Sequence, residues 1–253
     1  MRFIIFSLAL IQLGSPTLST AQPLTIYAAT STLPLMAEIQ SLWSNQGGSI
    51  KLRVVHGSSG ALSRQITAGA PADVYISANP KWINRLIQNK IANPITRKTI
   101  LKNRLVLIAP ANAKPLKTKS LLSEIPAILA NRGHLVLGDP RHVPAGQYAQ
   151  EVLDSLGISQ HVKAMTVHTN NVRLALALVQ RGEAALGIVY HTDARNDPSV
   201  KILQTFPTNL HSAIKYEAVS TRSGHPYTNT FLAMLASAAA KTIYRNAGFI
   251  VRD

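Results

Sequence analysis

From Leu24 onward the apolar residues follow two alternating rhythms. Leu24-Thr25-Ile26-Tyr27-Ala28, Lys51 to His56 and Ala72 to Ser77 are short apolar runs that read as strands. Between them Leu35, Met36, Ile39, Leu42 and Trp43 recur at helical spacing, and a second helix carries Leu62 and Ile66 on one face before Gly69 stops it. The second half repeats this logic. A strand from His134 to Leu137 leads to a helix from Ala145 to Leu156 stopped by Gly157, a helix from Val172 to Arg181 stopped by Gly182, and a strand from Ala185 to Tyr190. Strands alternating with helices predict an α/β fold of mostly parallel sheets covered by helices.

Two further apolar strands, 103–110 and 214–220, stand between these units, the second leading into a helix from Tyr227 to Asn246. Both read as crossovers between two lobes. The expected division is 22–104 for the first part of lobe one, 105–216 for lobe two, and 217–253 for a C-terminal return to lobe one. No low-complexity tract or short-period repeat interrupts this plan.

Residues 1–21 are a different kind of segment. Arg2 precedes the apolar run Phe3 to Ile11, and Ser19-Thr20-Ala21 forms a small-x-small pattern, so a secretory signal peptide cleaved near Ala21 is expected. The run is shorter than the ~20 residues of a spanning helix. Cysteine is absent, which excludes a disulfide framework, a thiolate metal site and a lipid-modified cysteine at the cleavage point. A free periplasmic protein is expected.

With 253 residues and 46% hydrophobic content, the chain can bury one large α/β domain or two lobes. The formal charge of +15, from 26 basic and 11 acidic residues, suits an anionic partner. The basic residues are scattered, however, and the densest stretch, Lys114 to Lys119, lacks interleaved aromatics, so nucleic acid is not expected.

Candidate chemistry lies where strands meet helices. Ala28-Ala29-Thr30-Ser31-Thr32, His56-Gly57-Ser58-Ser59-Gly60-Ala61, Gly138 to Gly146 and Thr169-Asn170-Asn171-Val172-Arg173 each place small, hydroxyl or amide residues at such a junction. A helix start leaves backbone N–H groups unpaired and carries about +0.5 of partial charge, so several converging starts would hold an oxyanion. Ligands of open α/β sheets sit beyond the carboxyl ends of strands, and Tyr190 closes a strand at a fifth such end. Desolvating a dianion costs many kcal/mol while each charged hydrogen bond returns only ~1.5–3 kcal/mol, so several donors are required. Ser31, Ser59 and Tyr190 offer hydroxyls, and the helix starts offer N–H groups; such a donor-only set suits a fully deprotonated oxyanion.

Enzymatic readings find less support. Gly57-Ser58-Ser59-Gly60 is neither a Walker A loop nor a nucleophile elbow. The histidines at 134, 142, 161, 168 and 191 lack metal-ligand spacing and read as surface or loop residues. Asp73, Asp139 and Asp193 form no local triad, and turn or loop hydrogen bonding is the expected role.

Taken in order, Tyr27 to Ser31, the run Gly57 to Val74 with Arg64-Gln65-Ile66 and Gly69-Ala70-Pro71-Ala72-Asp73, the run Gly138 to Ala149 with His142-Val143-Pro144-Ala145-Gly146, Gly187 to Tyr190 and Thr205-Phe206-Pro207 resemble the periplasmic molybdate-binding protein family. The resemblance spans nearly all the mature chain. It implies a two-lobed type II periplasmic binding protein fold that holds molybdate or tungstate in a ligand cleft between the lobes. The implied contacts are Ser31 and Ser59 through hydroxyl and backbone, Ala145 and Val172 through backbone N–H, and Tyr190 through its phenol. Molybdenum enters only as the oxyanion held by these residues. The implied protein is a monomer without catalytic residues or cofactor, and it delivers its anion to the membrane-embedded permease of an ABC importer. The chain departs from the family pattern at Thr30, where a small alanine is common, at Pro34, which interrupts the first turn after Ser31, and at Gly60, in a usually serine-rich run. A binding protein for sulfate or another small tetrahedral oxyanion shares the same donor logic. An effector domain of a transcription regulator would need a helix-turn-helix where the signal peptide stands, and an exported hydrolase would need turnover of phosphate or sulfate esters.

Overall fold

The structure, a computed structural model, describes residues 22–116, 120–221 and 224–251. The expected signal peptide and its cleavage point lie outside these residues, as does part of the basic stretch Lys114 to Lys119.

The strands among the described residues are, in chain order, β1 (Leu24–Ala29), β2 (Leu52–Gly57), β3 (Val74–Ser77), β4 (Lys98–Lys102), β5 (Leu105–Pro110), β6 (Leu135–Gly138), β7 (Thr166–Thr169), β8 (Leu186–Tyr190), β9 (Val200–Thr205) and β10 (Lys215–Ser220). The helices are α1 (Leu33–Asn45), α2 (Ser59–Thr67), α3 (Pro80–Gln88), α4 (Leu121–Arg132), α5 (Pro144–Ser155), α6 (Ser159–Val162), α7 (Val172–Gln180), α8 (His191–Ala194), α9 (Thr228–Leu235) and α10 (Ala238–Asn246).

Two five-stranded sheets result, ordered β2-β1-β3-β10-β4 and β7-β6-β8-β5-β9. They share one plan. A central strand, β1 or β6, has a parallel neighbour on each side, and the outer pair beyond β3 or β8 runs antiparallel. The sheets are therefore mixed rather than mostly parallel. The physical reason is that the chain enters each lobe by a strand that returns alongside its neighbour, β10 beside β3 and β5 beside β8, instead of through a helix.

Period-two alternation sorts the first sheet's side chains. Leu24, Ile26 and Ala28 of β1, with Val74 and Ile76 of β3, face a core built with α1, α9 and α10. Tyr27 and Tyr75 face the other side, where Leu62 and Ile66 of α2 and Trp82, Ile83 and Leu86 of α3 cover them. Each strand thus buries both faces, which explains its continuous apolar reading. In the second lobe α5 and α7 pack on β6 and β8.

Three sequence expectations are corrected at element level. The chain passes from β4 to β5 through Asn103 and Arg104 alone, so strand 103–110 is shorter than expected. The helix expected from Tyr227 to Asn246 is two helices, broken where Ser237 adopts an extended backbone and its hydroxyl accepts the Ala240 N–H at 3.2 Å. Pro34 does not interrupt its helix, because it occupies the first turn of α1, where no intrahelical acceptor exists for an N–H. Gly157 and Gly182 follow α5 and α7 with φ of +70° and +72°, the left-handed conformation that ends a helix.

Candidate functional site

The shared plan aims the carboxyl ends of β1, β2 and β3 at those of β6, β7 and β8. A small cavity lies where they meet. Its wall contains Thr30 and Ser31 after β1, Ser58 and Ser59 after β2, Ala78 after β3, Val143, Pro144 and Ala145 after β6, Asn171 and Val172 after β7, and Tyr190 at the end of β8. All five residues singled out in the sequence, Ser31, Ser59, Ala145, Val172 and Tyr190, line this one space. No lysine, arginine, aspartate or glutamate is among the lining residues.

Local folding presents donors to the cavity. Ser59 and Val172 open α2 and α7, Ala145 lies in the first turn of α5, and Ser31 lies within a single 3-10 turn from Thr30 to Thr32. The N–H groups at these positions have no acceptor within their own helices. Acceptors are meanwhile consumed. The Ser59 hydroxyl accepts the Ala78 N–H at 3.1 Å, and the Asn171 side-chain carbonyl accepts the Leu174 N–H at 3.0 Å. The Ser59 O–H proton is thereby left to point elsewhere.

Behind the wall, the Ser31 hydroxyl lies 2.7 Å from that of Tyr216 on β10, and the Asn103 amide donates to Tyr216 at 3.4 Å and to Thr192 at 2.9 Å. If Asn103 donates into Tyr216 and Tyr216 into Ser31, the Ser31 proton is free for a ligand. Tyr190, 1% exposed, has a hydroxyl with no partner at hydrogen-bond geometry. Burial first, then neighbouring Tyr216, Tyr148 and Asp193, hold its pKa well above the usual phenol value, so it remains a donor. An unpaired buried hydroxyl costs ~1–3 kcal/mol, which a ligand oxygen would offset.

The lobes touch around this cavity. The Gly60 N–H donates to the His142 carbonyl at 3.0 Å, Ser58 Oγ lies 3.0 Å from His142 Nδ1, and Asn79 donates to Gln147 at 3.3 Å. A Cβ on Gly60 would stand 2.6 Å from the His142 carbonyl oxygen and 2.6 Å from the Trp82 ring. Only glycine permits this approach.

Residues 24–250 match the family described as bacterial extracellular solute-binding protein. The chain belongs to this family. Over 232 residues this solute-binding protein is 38% identical to the molybdate-binding protein ModA of Escherichia coli (strain K12), covering 90% of this chain and 89% of that one. It is 37% identical over 227 residues to the molybdate-binding protein ModA of Haemophilus influenzae, with 89% of each chain covered. Among solved structures it superposes on the periplasmic molybdate-binding protein of Azotobacter vinelandii with a TM-score of 0.77 at 26% identity, covering 91% of this chain and 100% of that one.

Sequence reasoning missed several residues of this solute-binding protein. Asp73 accepts the N–H of Thr25 in β1 at 2.7 Å, a long-range tie and not a turn, whereas Asp139 serves a loop, accepting the Arg141 N–H at 2.9 Å. Arg141 beside it holds the Asp139 pKa down to about 2. Asp193 is different, because its side chain is fully buried behind Tyr190 with Arg173 Nη1 at 3.5 Å. Burial raises its pKa to about 7 against the pull of Arg173. His142 is a cross-lobe residue with a 14% exposed side chain rather than a surface histidine, and Tyr216 and Asn103 reach the site from the crossovers. Only position beside a crossover marked the last two, and no motif surrounds them.

Proposed function

We propose that this solute-binding protein captures molybdate, and tungstate with it, between its two lobes and delivers it to the membrane-embedded permease of an ABC importer. The contacts in this reading are Ser31 and Ser59 from one lobe and Ala145, Val172 and Tyr190 from the other, acting on the chain divided as 22–104 with 217–253 against 105–216. The observation that carries it is the cavity wall, where protonated donors from both lobes converge and no charged side chain stands. The relatives named as molybdate-binding proteins support the identity of the anion.

The geometry acts in three ways. Helix starts from both lobes supply N–H donors and partial positive charge to a dianion. The hydroxyls of Ser31, Ser59 and Tyr190 add charge-assisted hydrogen bonds of ~1.5–3 kcal/mol each. The Ser59 and Asn171 oxygens already accept from the backbone and no carboxylate lines the cavity, so the wall offers a phosphate proton only hydroxyl acceptors, weaker than a carboxylate. The anion is released unchanged, so the reading involves no catalytic step and no cofactor, and it places a monomer in the periplasm.

Calorimetric titration of the ligand-free protein with molybdate, tungstate, sulfate and phosphate tests this reading. Tight one-to-one binding of the first two and weak binding of the others is expected. Equal affinity for sulfate would replace it with the broader reading of a small-oxyanion carrier.

A further inference from the structure

Ser58 stands immediately before α2 with an extended backbone, φ −64° and ψ 143°, where a serine hydroxyl ordinarily accepts an N–H of the first helical turn. It makes no such bond. Its Oγ lies instead 3.0 Å from Nδ1 of His142, on the loop between β6 and α5 in the other lobe. That loop is fixed by its own backbone, because the His142 and Val143 N–H groups both donate to the Asp139 carbonyl, at 3.1 and 2.8 Å. On the far side of the ring Nε2 faces Asp139 Oδ2 at 3.8 Å, and Asp139 is a carboxylate whose pKa Arg141 holds down to about 2. A neutral ring that keeps its proton on Nε2, toward this carboxylate, leaves Nδ1 bare to accept the Ser58 O–H. The charged groups facing the ring are Asp139 and Arg141 on its own loop and Arg64 on α2.

We propose that His142 is a positioning residue for capture, whose neutral imidazole latches the start of α2 to the second lobe through Ser58 and slows release of the bound anion. The inference rests on the proposed oxyanion function, and it gives His142 no contact with the anion itself. The neighbouring cross-lobe bonds, from Gly60 to the His142 carbonyl, from Asn79 to Gln147 and from the Tyr148 hydroxyl to the Ala78 carbonyl, use backbone, amide and buried phenol groups. None of these changes charge near neutral pH. Two properties make the Ser58 bond a latch and not a permanent tie. When the lobes part, Ser58 can exchange it for the helix cap it forgoes, a bond of similar worth. The ring, 14% exposed with the lobes in contact, gains water when they separate, and burial lowers its pKa from the usual value despite the pull of Asp139. Protonation therefore favours the open form.

The test follows release of radioactive molybdate from the loaded protein into excess unlabelled molybdate, at about pH 8 and about pH 5.5, on either side of the ordinary histidine value near 6.5. Parent, His142→Phe and His142→Asn are compared, with thermal melts without ligand alongside. Phenylalanine keeps a planar ring and removes both nitrogens, whereas asparagine keeps an acceptor at the Nδ1 position and cannot titrate. At the higher pH His142→Phe should release molybdate about three- to tenfold faster than the parent, the worth of one neutral hydrogen bond, while His142→Asn stays within about twofold. On acidification the parent should accelerate relative to His142→Asn by up to about tenfold. Asp193 and the anion titrate alike in all three proteins, so this difference belongs to His142. Parent-like release by a folded His142→Phe overturns the assignment, and so does equal acceleration of parent and His142→Asn. If the phenylalanine variant does not fold, the pH profile of the asparagine variant decides. A parent that binds none of molybdate, tungstate, sulfate and phosphate overturns the oxyanion reading itself, together with this inference.

Discussion

Tyr190 carries a hydroxyl that has given up water on burial and gained no protein partner in return. Tyr190→Phe should therefore raise ligand-free stability by up to ~1–3 kcal/mol while weakening molybdate by about ten- to a hundredfold, read by thermal melts and calorimetry. Tyr216→Phe acts one step further back. It removes the partner that orients the Ser31 hydroxyl, so a smaller loss of affinity is expected, accompanied by a lower melt because Ser31 and the Asn103 amide lose a buried partner. Asp193 governs a pH dependence whose sign follows from its pKa, raised to about 7 by burial. An unfolded aspartate titrates near ~3.9. Folding thus favours the protonated carboxyl, and the stability from this group is fully present below that value and is lost as pH rises to about 7. Asp193→Asn, uncharged throughout, should flatten the fall in melting temperature between pH 4 and pH 7.5, a range chosen around these values. Identical slopes in parent and variant would exclude Asp193 as the source.

At the scale of elements, the helix starts divide into those whose N–H groups are spent and those still available. Asn171, extended at φ −161° and ψ 165°, caps α7 through Leu174, and Val172 follows it as the first helical residue. Proline is tolerated at that position and suits an extended residue before it. Val172→Pro should therefore fold and melt close to the parent, yet bind molybdate about ten- to a hundredfold more weakly because one donor is deleted. Val172→Ala, with the N–H intact, should retain most of the affinity. If the proline variant binds like the parent in calorimetry, Val172 only starts a helix.

At the scale of the whole molecule, the two lobes meet through Gly60 and His142, and that contact depends on the missing Cβ of Gly60. Its neighbours there are a backbone carbonyl and a buried indole, neither of which can swing aside cheaply. Gly60→Ala should hold the cleft apart. Small-angle scattering at saturating molybdate should show contraction in the parent and a larger radius in the variant, with binding weakened but the separate lobes still folded. Equal radii would mean that the lobes close without this contact. The +15 charge acts at the same scale: scattered surface charges screened over ~8 Å speed capture more than they tighten it, so stopped-flow association should slow with salt while dissociation does not.

The local signals in the chain did not reveal β4, β9 or α3, but they were enough to specify β1, β2, β3, β5, β6, β8 and β10, the helices α1, α2, α5 and α7, and the donor-bearing junctions around Ser31, Ser59, Ala145, Val172 and Tyr190. Those features depend on neighbours within a few residues: apolar period, glycine after a helix, a polar residue before one. The break at Ser237 was hidden because apolar helical spacing continues across it, and α4 was hidden because Pro126 lies inside it and no side chain caps it. The antiparallel half of each sheet, the reach of Tyr216 to Ser31 across 185 positions, the burial of Asp193 against Arg173 and the meeting of Gly60 with His142 were decided only by the tertiary structure. Each joins residues far apart in the chain, and such pairings are set by which faces the two sheets bury and where the crossovers bring the lobes together, quantities that no local pattern encodes.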